Sequence, residues 1–145
     1  MGNRSRVGTM KPETQFWNYI RPRMKGRWYA TRIETYTENG VPDVTFTVDG
    51  FHGWIELKYL KEFPKRETTI VKIPHYTDLQ RYFLSTRGKA AGHCYLLIKV
   101  NREYFLFDYE QAQSVGVSFT KKDFVENSKF YWKNKIDFEE LRKAL

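Results

Sequence analysis

A hairpin written between residues 43 and 60 constrains this chain more than any other feature. Val44, Phe46 and Val48 alternate with Thr45 and Thr47, the period-two pattern of a strand with one buried face. Asp49-Gly50 follows, a pair suited to a two-residue turn in which both residues take positive φ. Phe51 to Leu60 then returns antiparallel. With Asp49 and Gly50 at the turn centre the register is fixed: Val48 faces Phe51, Phe46 faces Gly53 and Val44 faces Ile55. One step further, Asp43 stands opposite Glu56. The same register gathers Val44, Phe46, Val48, Phe51, Ile55 and Leu57 on one face. It leaves Asp43, Thr45, Thr47, Trp54, Glu56 and Lys58 on the other.

Two carboxylates facing each other across a ladder repel and destabilise the pairing. One of them must hold a proton, or a cation must sit between them. A hard divalent cation answers this, since Mg²⁺ takes one or two carboxylates together with waters and phosphate oxygens. Lys58, two residues beyond Glu56, points to the same side and can orient a water or steady charge developing on a phosphate. The alternative is an acid and a base on a solvated strand face.

The surrounding sequence reads as α/β. Phe16, Trp17, Ile20 and Met24 fall on one face of a helix from Glu13 to about Met24, with Pro22 predicting an early end. Residues 28–37 form an extended segment. Residues 61–72 form a charged loop, and Thr77 is the N-cap of a helix running to about Arg87, with Gly88 and Gly92 marking its exit. Strands at His93–Val100 and Glu103–Tyr109, joined at Asn101-Arg102, precede short helices near Lys121–Glu126 and Asp137–Ala144. The expectation is a flexible basic arm over residues 1–10 and one domain over residues 11–145, with a mixed sheet flanked by helices.

Charge directs attention to polyanions. The 145 residues carry a net charge of +8, and residues 1–27 set Arg4, Arg6, Lys11, Arg21, Arg23, Lys25 and Arg27 against Glu13 alone. Such a block suits a phosphate backbone, whose counterions are released on contact, although a basic surface also serves solubility. Aromatic residues reach 17%, enough to fill a core and leave rings for nucleobases. The single cysteine, Cys94, excludes a disulfide framework or a thiolate metal centre. Neither a membrane span nor a secretory signal is apparent, so the expectation is a cytoplasmic protein without a membrane partner.

Pro42-Asp43 followed by Glu56-Leu57-Lys58 resembles the PD-(D/E)XK nuclease superfamily. More closely, the chain looks like its VRR-NUC and Holliday-junction-resolvase-like branch, in particular small phage-encoded members. The resemblance runs through Arg32-Ile33-Glu34, Gly40-Val41-Pro42-Asp43-Val44, Gly53-Trp54-Ile55-Glu56-Leu57-Lys58, Pro64-Lys65-Arg66, Pro74-His75-Tyr76-Thr77, Gln80 and Ala91-Gly92-His93. It implies a restriction-endonuclease-like core with Asp43, Glu56 and Lys58 at the centre. Glu34 would complete the metal site, and Gln80 would support it. The implied cofactor is Mg²⁺, with Mn²⁺ as a substitute, and the implied host compartment is the bacterial cytoplasm. Arg21, Arg23, Lys25, Arg27, Arg32, Lys65, Arg66 and His75 become candidate DNA contacts, although His75 also suits a purely structural role. Branched DNA is the implied substrate, and paired incisions in a four-way junction imply a homodimer. Nicking, flap or single-strand cleavage is the nearest alternative, and a non-catalytic basic DNA-binding module is the alternative from another class.

Overall fold

The computed structural model describes residues 11–24, 26, 28–33 and 40–145. The basic arm at residues 1–10, Lys25, Arg27 and Glu34 lie outside the described residues. Six strands form one mixed sheet in sequence order: β1 (Trp28–Arg32), β2 (Val44–Val48), β3 (Phe51–Leu60), β4 (Cys94–Val100), β5 (Glu103–Asp108) and β6 (Phe130–Lys133). All neighbours run antiparallel except β3 and β4. A parallel pair needs a long crossover, and the chain supplies it with a loop and helix α2 (Asp78–Ala91). Helix α1 (Pro12–Ile20) precedes the sheet, while α3 (Lys121–Asn127) and α4 (Phe138–Ala144) follow β5 and β6 respectively.

The predicted register holds through every paired position, from Val48 opposite Phe51 to Val44 opposite Ile55. Asp49 and Gly50 take φ of 48° and 83°, as a primed two-residue turn requires. Strand alternation then divides the interior into two layers. Val44, Phe46, Val48, Ile55, Leu57, Tyr95 and Leu97 pack with Phe16, Trp17 and Ile20 of α1 and with Leu141 of α4. On the opposite face Leu96, Ile98, Phe105 and Phe107 pack with Leu84 of α2 and Phe124 of α3. The result is the α/β mixed sheet flanked by helices that the sequence predicts.

Several boundaries differ from expectation, each for a local reason. Helix α1 ends at Ile20, and Met24 reaches the core from the turn around Pro22. The extended segment after residue 27 becomes β1 because its residues pair with β2 from Trp28 opposite Val48 to Arg32 opposite Val44. Phe51, expected on the apolar face, remains exposed at the hairpin tip and lays its ring against His93, 4.7 Å away. Strand β6 escapes the sequence reading because its four residues carry too little alternation to be distinguished from a loop.

Gly88 is the clearest correction. It does not end α2; Gly92 does, at φ 80°, with its N–H donated to the Gly88 carbonyl. Gly88 instead lies where a Cβ would meet Tyr109 Cγ at 2.2 Å and Tyr109 Cβ at 2.5 Å. Helix propensity alone would make Gly88→Ala stabilising by about 1 kcal/mol. The clash should outweigh that gain, because overpacking of this kind costs about 1–3 kcal/mol. A lower melting temperature for Gly88→Ala, with little further loss when it is added to Tyr109→Gly, which removes both clashing atoms, is the expected outcome. A rise in melting temperature for the single variant would contradict this account of the contact.

Candidate active site

The site forms where β2 begins beside the middle of β3. Asp43 lies immediately before the first residue of β2, and its carbonyl accepts the Ile33 N–H at 2.7 Å. Its carboxylate bends toward β3, where Oδ2 accepts the Leu57 N–H at 3.0 Å. That bond takes the β3 donor just past the last paired position of the hairpin. It brings Asp43 to the expected place beside Glu56.

Glu56 and Lys58 project from the same face of β3, and both are buried, at 1% and 4% exposure. Lys58 Nζ lies 3.1 Å from Glu56 Oε2. Among the described residues neither Glu56 carboxylate oxygen receives a well-aligned hydrogen bond, Lys58 being its one close cation. Proximity to one ammonium is thus its main compensation. Burial pushes the Glu56 carboxyl well above the usual carboxylate range; the adjacent Asp43 carboxylate adds to that rise, and Lys58 only partly opposes it. A carboxyl buried beside a second carboxylate and offset by a single ammonium is costly, and such groups gather at functional sites.

Such a carboxylate beside a second one is a donor set that fits a hard divalent cation, which accepts carboxylate oxygens and leaves other positions to water or phosphate. Among the described residues no group of three or more His, Cys, Asp or Glu side chains is gathered as a cation site. The pair Asp43 and Glu56 is therefore the set available, with Glu34 outside the described residues.

Two close backbone approaches hold this corner. Gly40, at φ 87°, sits so near the start of α2 that a Cβ would lie 2.6 Å from the Leu79 carbonyl oxygen. Gly53 lies so near His93 that a Cβ would meet its carbonyl oxygen at 2.0 Å. The first contact fixes the segment Gly40-Val41-Pro42 that delivers Asp43. The second presses β3 against the entry to β4. Neither role follows from spacing alone, though both glycines belong to the segments that carried the resemblance.

The remaining candidates are dispersed. Gln80 closes the capping box of α2: Thr77 N–H donates to its Oε1 at 2.9 Å, and its own N–H donates to Thr77 Oγ1 at 3.2 Å. That bonding accounts for the glutamine at this position without a contact to the carboxylates. His75 is exposed in the crossover loop at φ 65°, and Lys65 and Arg66 are exposed in the same loop. Arg21 is exposed after α1, and Arg23 lies 4.1 Å over the Tyr19 ring with a bond to the Tyr19 carbonyl. Arg32 donates to Thr14 Oγ1 at 3.1 Å. Tyr76, unassigned in the sequence reading, is buried with its hydroxyl donated to the Ala112 carbonyl at 2.8 Å. Burial is the main cause of its raised pKa, opposed by Arg81 and reinforced by the nearby Glu56 charge. The Arg81 guanidinium lies 4.2 Å over its ring.

No protein-family model matches the chain, and no curated protein matches it. Among solved structures the chain is similar to Hjc of Archaeoglobus fulgidus, described as a Holliday junction resolvase from an archaeal hyperthermophile. The identity is 19%, the TM-score is 0.49, and the match covers 70% of this chain and 75% of that one. A likeness of this degree leaves the chemistry to be read from the residues themselves.

Two measurements follow from this geometry. A carboxyl whose folded pKa is raised stabilises the fold below its unfolded pKa, and that contribution is lost as pH rises through the folded value. The metal-free protein should accordingly melt at lower temperature as pH climbs above the ordinary carboxylate range, and Glu56→Gln should flatten that decline. Parallel melting curves for the two proteins in EDTA would remove Glu56 as the cause. Second, Gly40→Ala should weaken the rise in melting temperature produced by Mn²⁺, because displacement of Gly40 moves Asp43. An unchanged Mn²⁺ shift would separate Gly40 from the site.

Proposed function

We propose that this protein is a divalent-metal-dependent DNA endonuclease of the PD-(D/E)XK type. The observation that carries the reading is the deeply buried Glu56 carboxyl, placed beside the Asp43 carboxylate with Lys58 Nζ 3.1 Å from its Oε2. A purely structural ion pair would gain from replacement by apolar residues at such depth. A chemical role explains why the charges are there.

Asp43 and Glu56, with Glu34 as the third ligand that the resemblance implies, would hold one or two Mg²⁺ or Mn²⁺ ions, and such ions would supply Lewis acidity toward a phosphate and a water. Lys58 keeps its ammonium within reach of Glu56 and so stands beside the reacting phosphate. There it orients the water or offsets the negative charge that builds on the phosphoryl oxygens. Arg21, Arg23, Lys25, Arg27, Arg32, Lys65, Arg66 and His75 supply the contacts to the DNA backbone. These fix position without reading sequence, so selection by DNA shape is expected. A branched substrate of the Holliday-junction class suits that mode, with a homodimer placing one centre on each of two strands. The VRR-NUC and phage-type affiliation belongs to the same reading.

The test is cleavage of labelled four-way junction, flap and linear substrates, in Mg²⁺ or EDTA, beside Asp43→Ala, Glu56→Gln and Lys58→Ala. Cleavage by the unmodified protein in Mg²⁺ alone is expected, with each variant reduced by a factor of a hundred or more, as befits loss of about 3 kcal/mol or more of transition-state stabilisation. DNA binding without cleavage of any substrate would leave a binding module in place of a nuclease. Equal cleavage by Asp43→Ala would move the site elsewhere. Cleavage of flap or single-stranded DNA without junction would retain the chemistry and change the substrate.

A further inference from the structure

Among the described residues, β1, β2 and the start of β3 are covered on one side only. Trp28, Phe46, Val48 and Ile55 lie beneath α1 and α4, whereas the register places Tyr29, Thr31, Thr45, Thr47, His52 and Trp54 together on the opposite face. There Tyr29 is 73% exposed. Thr31, Thr47 and His52 are exposed as well. Of these six, only Trp54 packs partly against the second core layer, edge-on to Phe83 of α2 at 5.3 Å. Glu56 and Lys58 follow on the same side of β3, where the cover of α2 begins and both are buried.

We propose that this uncovered face is a track for single-stranded DNA leading out of the candidate active site, with Tyr29 and His52 as base-stacking platforms and Arg87 as a phosphate contact. The inference rests on the nuclease reading and extends it to the path of the substrate. Continuity is the first support. At about 3.4 Å per strand residue, His52 lies roughly 14 Å from Glu56, and Trp54 stands midway between them. Charge is the second. None of the six side chains from Tyr29 to Trp54 on this face is acidic, so the carboxylates are confined to its inner end at Asp43 and Glu56. Arg87 lines a cavity of about 310 Å³ with His52, Trp54 and His93 at the border of the face.

The rings are also held in place before any ligand arrives. The two ring nitrogens of His52 lie 3.3 Å from Thr45 Oγ1 and 3.2 Å from Thr47 Oγ1. Thr45 donates its hydroxyl proton to the Gly53 carbonyl at 3.2 Å, which leaves its oxygen to accept from His52 Nε2. Trp54 stands edge-on to His52 at 6.3 Å. Arg87 rests 4.8 Å over Phe83, which in turn supports Trp54. A preformed row of rings bordered by a guanidinium suits unpaired bases and their backbone, since stacking tolerates any base. A second copy of this chain would instead favour an apolar face, and four of these six side chains are threonine or histidine.

The test uses the full chain with a fluorescein-labelled oligothymidylate and a blunt duplex, read by anisotropy in EDTA so that binding is separated from cleavage. Tyr29→Ala combined with His52→Ala should weaken oligothymidylate binding about tenfold and duplex binding less. Thr31→Glu combined with Thr47→Glu should weaken it at least as much. The charge-matched pair Val117→Glu and Val125→Glu, at exposed sites away from this face, should have a markedly smaller effect. An iodouracil-substituted strand should cross-link to Tyr29, His52 or Trp54. Native affinity in both platform variants, an equal loss in the control pair, or cross-links confined to residues 61–75 would each overturn the track. Loss of self-association in the Thr31/Thr47 variant with DNA binding intact would assign the face to a second copy and overturn it too. Cleavage in Mg²⁺, measured in parallel, keeps the two readings apart. Cleavage with native-like platform variants removes the track alone, and track-dependent binding without any cleavage removes the nuclease reading alone.

Discussion

The turn at Asp49 and Gly50 governs where every charged group of the candidate site stands. A strand slipped by one residue exchanges its two faces, so a different turn would carry Glu56 and Lys58 into the layer beneath α1 and α4. It would also turn Ile55 and Leu57, which are now almost wholly buried, out of that layer. The positive φ of both turn residues selects a primed turn, whose twist matches that of the strands it joins. Burial of the apolar face and juxtaposition of the acids therefore share one cause. Packing on one side of the sheet sets the chemistry available on the other.

On that other side two demands compete. Core formation around Leu96, Ile98 and Phe105 excludes water, yet Glu56 and Lys58 stand at its margin beside Leu96 and Ile98 of β4. Exclusion of water strengthens whatever electrostatic contact forms there and raises the cost of leaving any group unpaired. The structure reconciles these demands by ending the cover at β3. Helix α2 packs over the carboxylate-bearing strand, and the outer strands β1 and β2 keep a polar, open surface. A deeply placed acid and an accessible face thus lie within a few residues of one another.

Much of this was legible in the sequence because the signals were local. The alternation of Val44 to Val48, the Asp49-Gly50 pair and the Thr77 cap each specify geometry within a few residues, and each matches the structure. The pairing of Asp43 with Glu56 followed from the same register. What escaped was set by contacts between distant segments. Gly88 looks like a helix terminator until Tyr109 is seen against it, and Gly40 has no evident purpose until Leu79 is placed beside it. Strand β6 exists because β5 offers a partner, from Glu103 opposite Lys133 to Leu106 opposite Phe130, not because its residues demand extension. The open face of β1 to β3 was invisible for a related reason: alternation shows which residues share a side, but not where a covering helix stops.

The pairing of Arg142 with Asp49 adds a consequence in time. Arg142, on the last helix, is joined to the hairpin turn across 93 residues of sequence and is also held by Glu139 at 2.8 Å. Closing so large a loop carries an entropic cost that a two-residue turn does not. The turn must therefore choose its register unaided, early in folding, with the clasp from α4 arriving after most of the chain has been ordered. A late contact of this kind resists opening far more than it hastens assembly. The hairpin that aligns the two acids is selected by its own backbone and afterwards kept from reversing by the far end of the described chain.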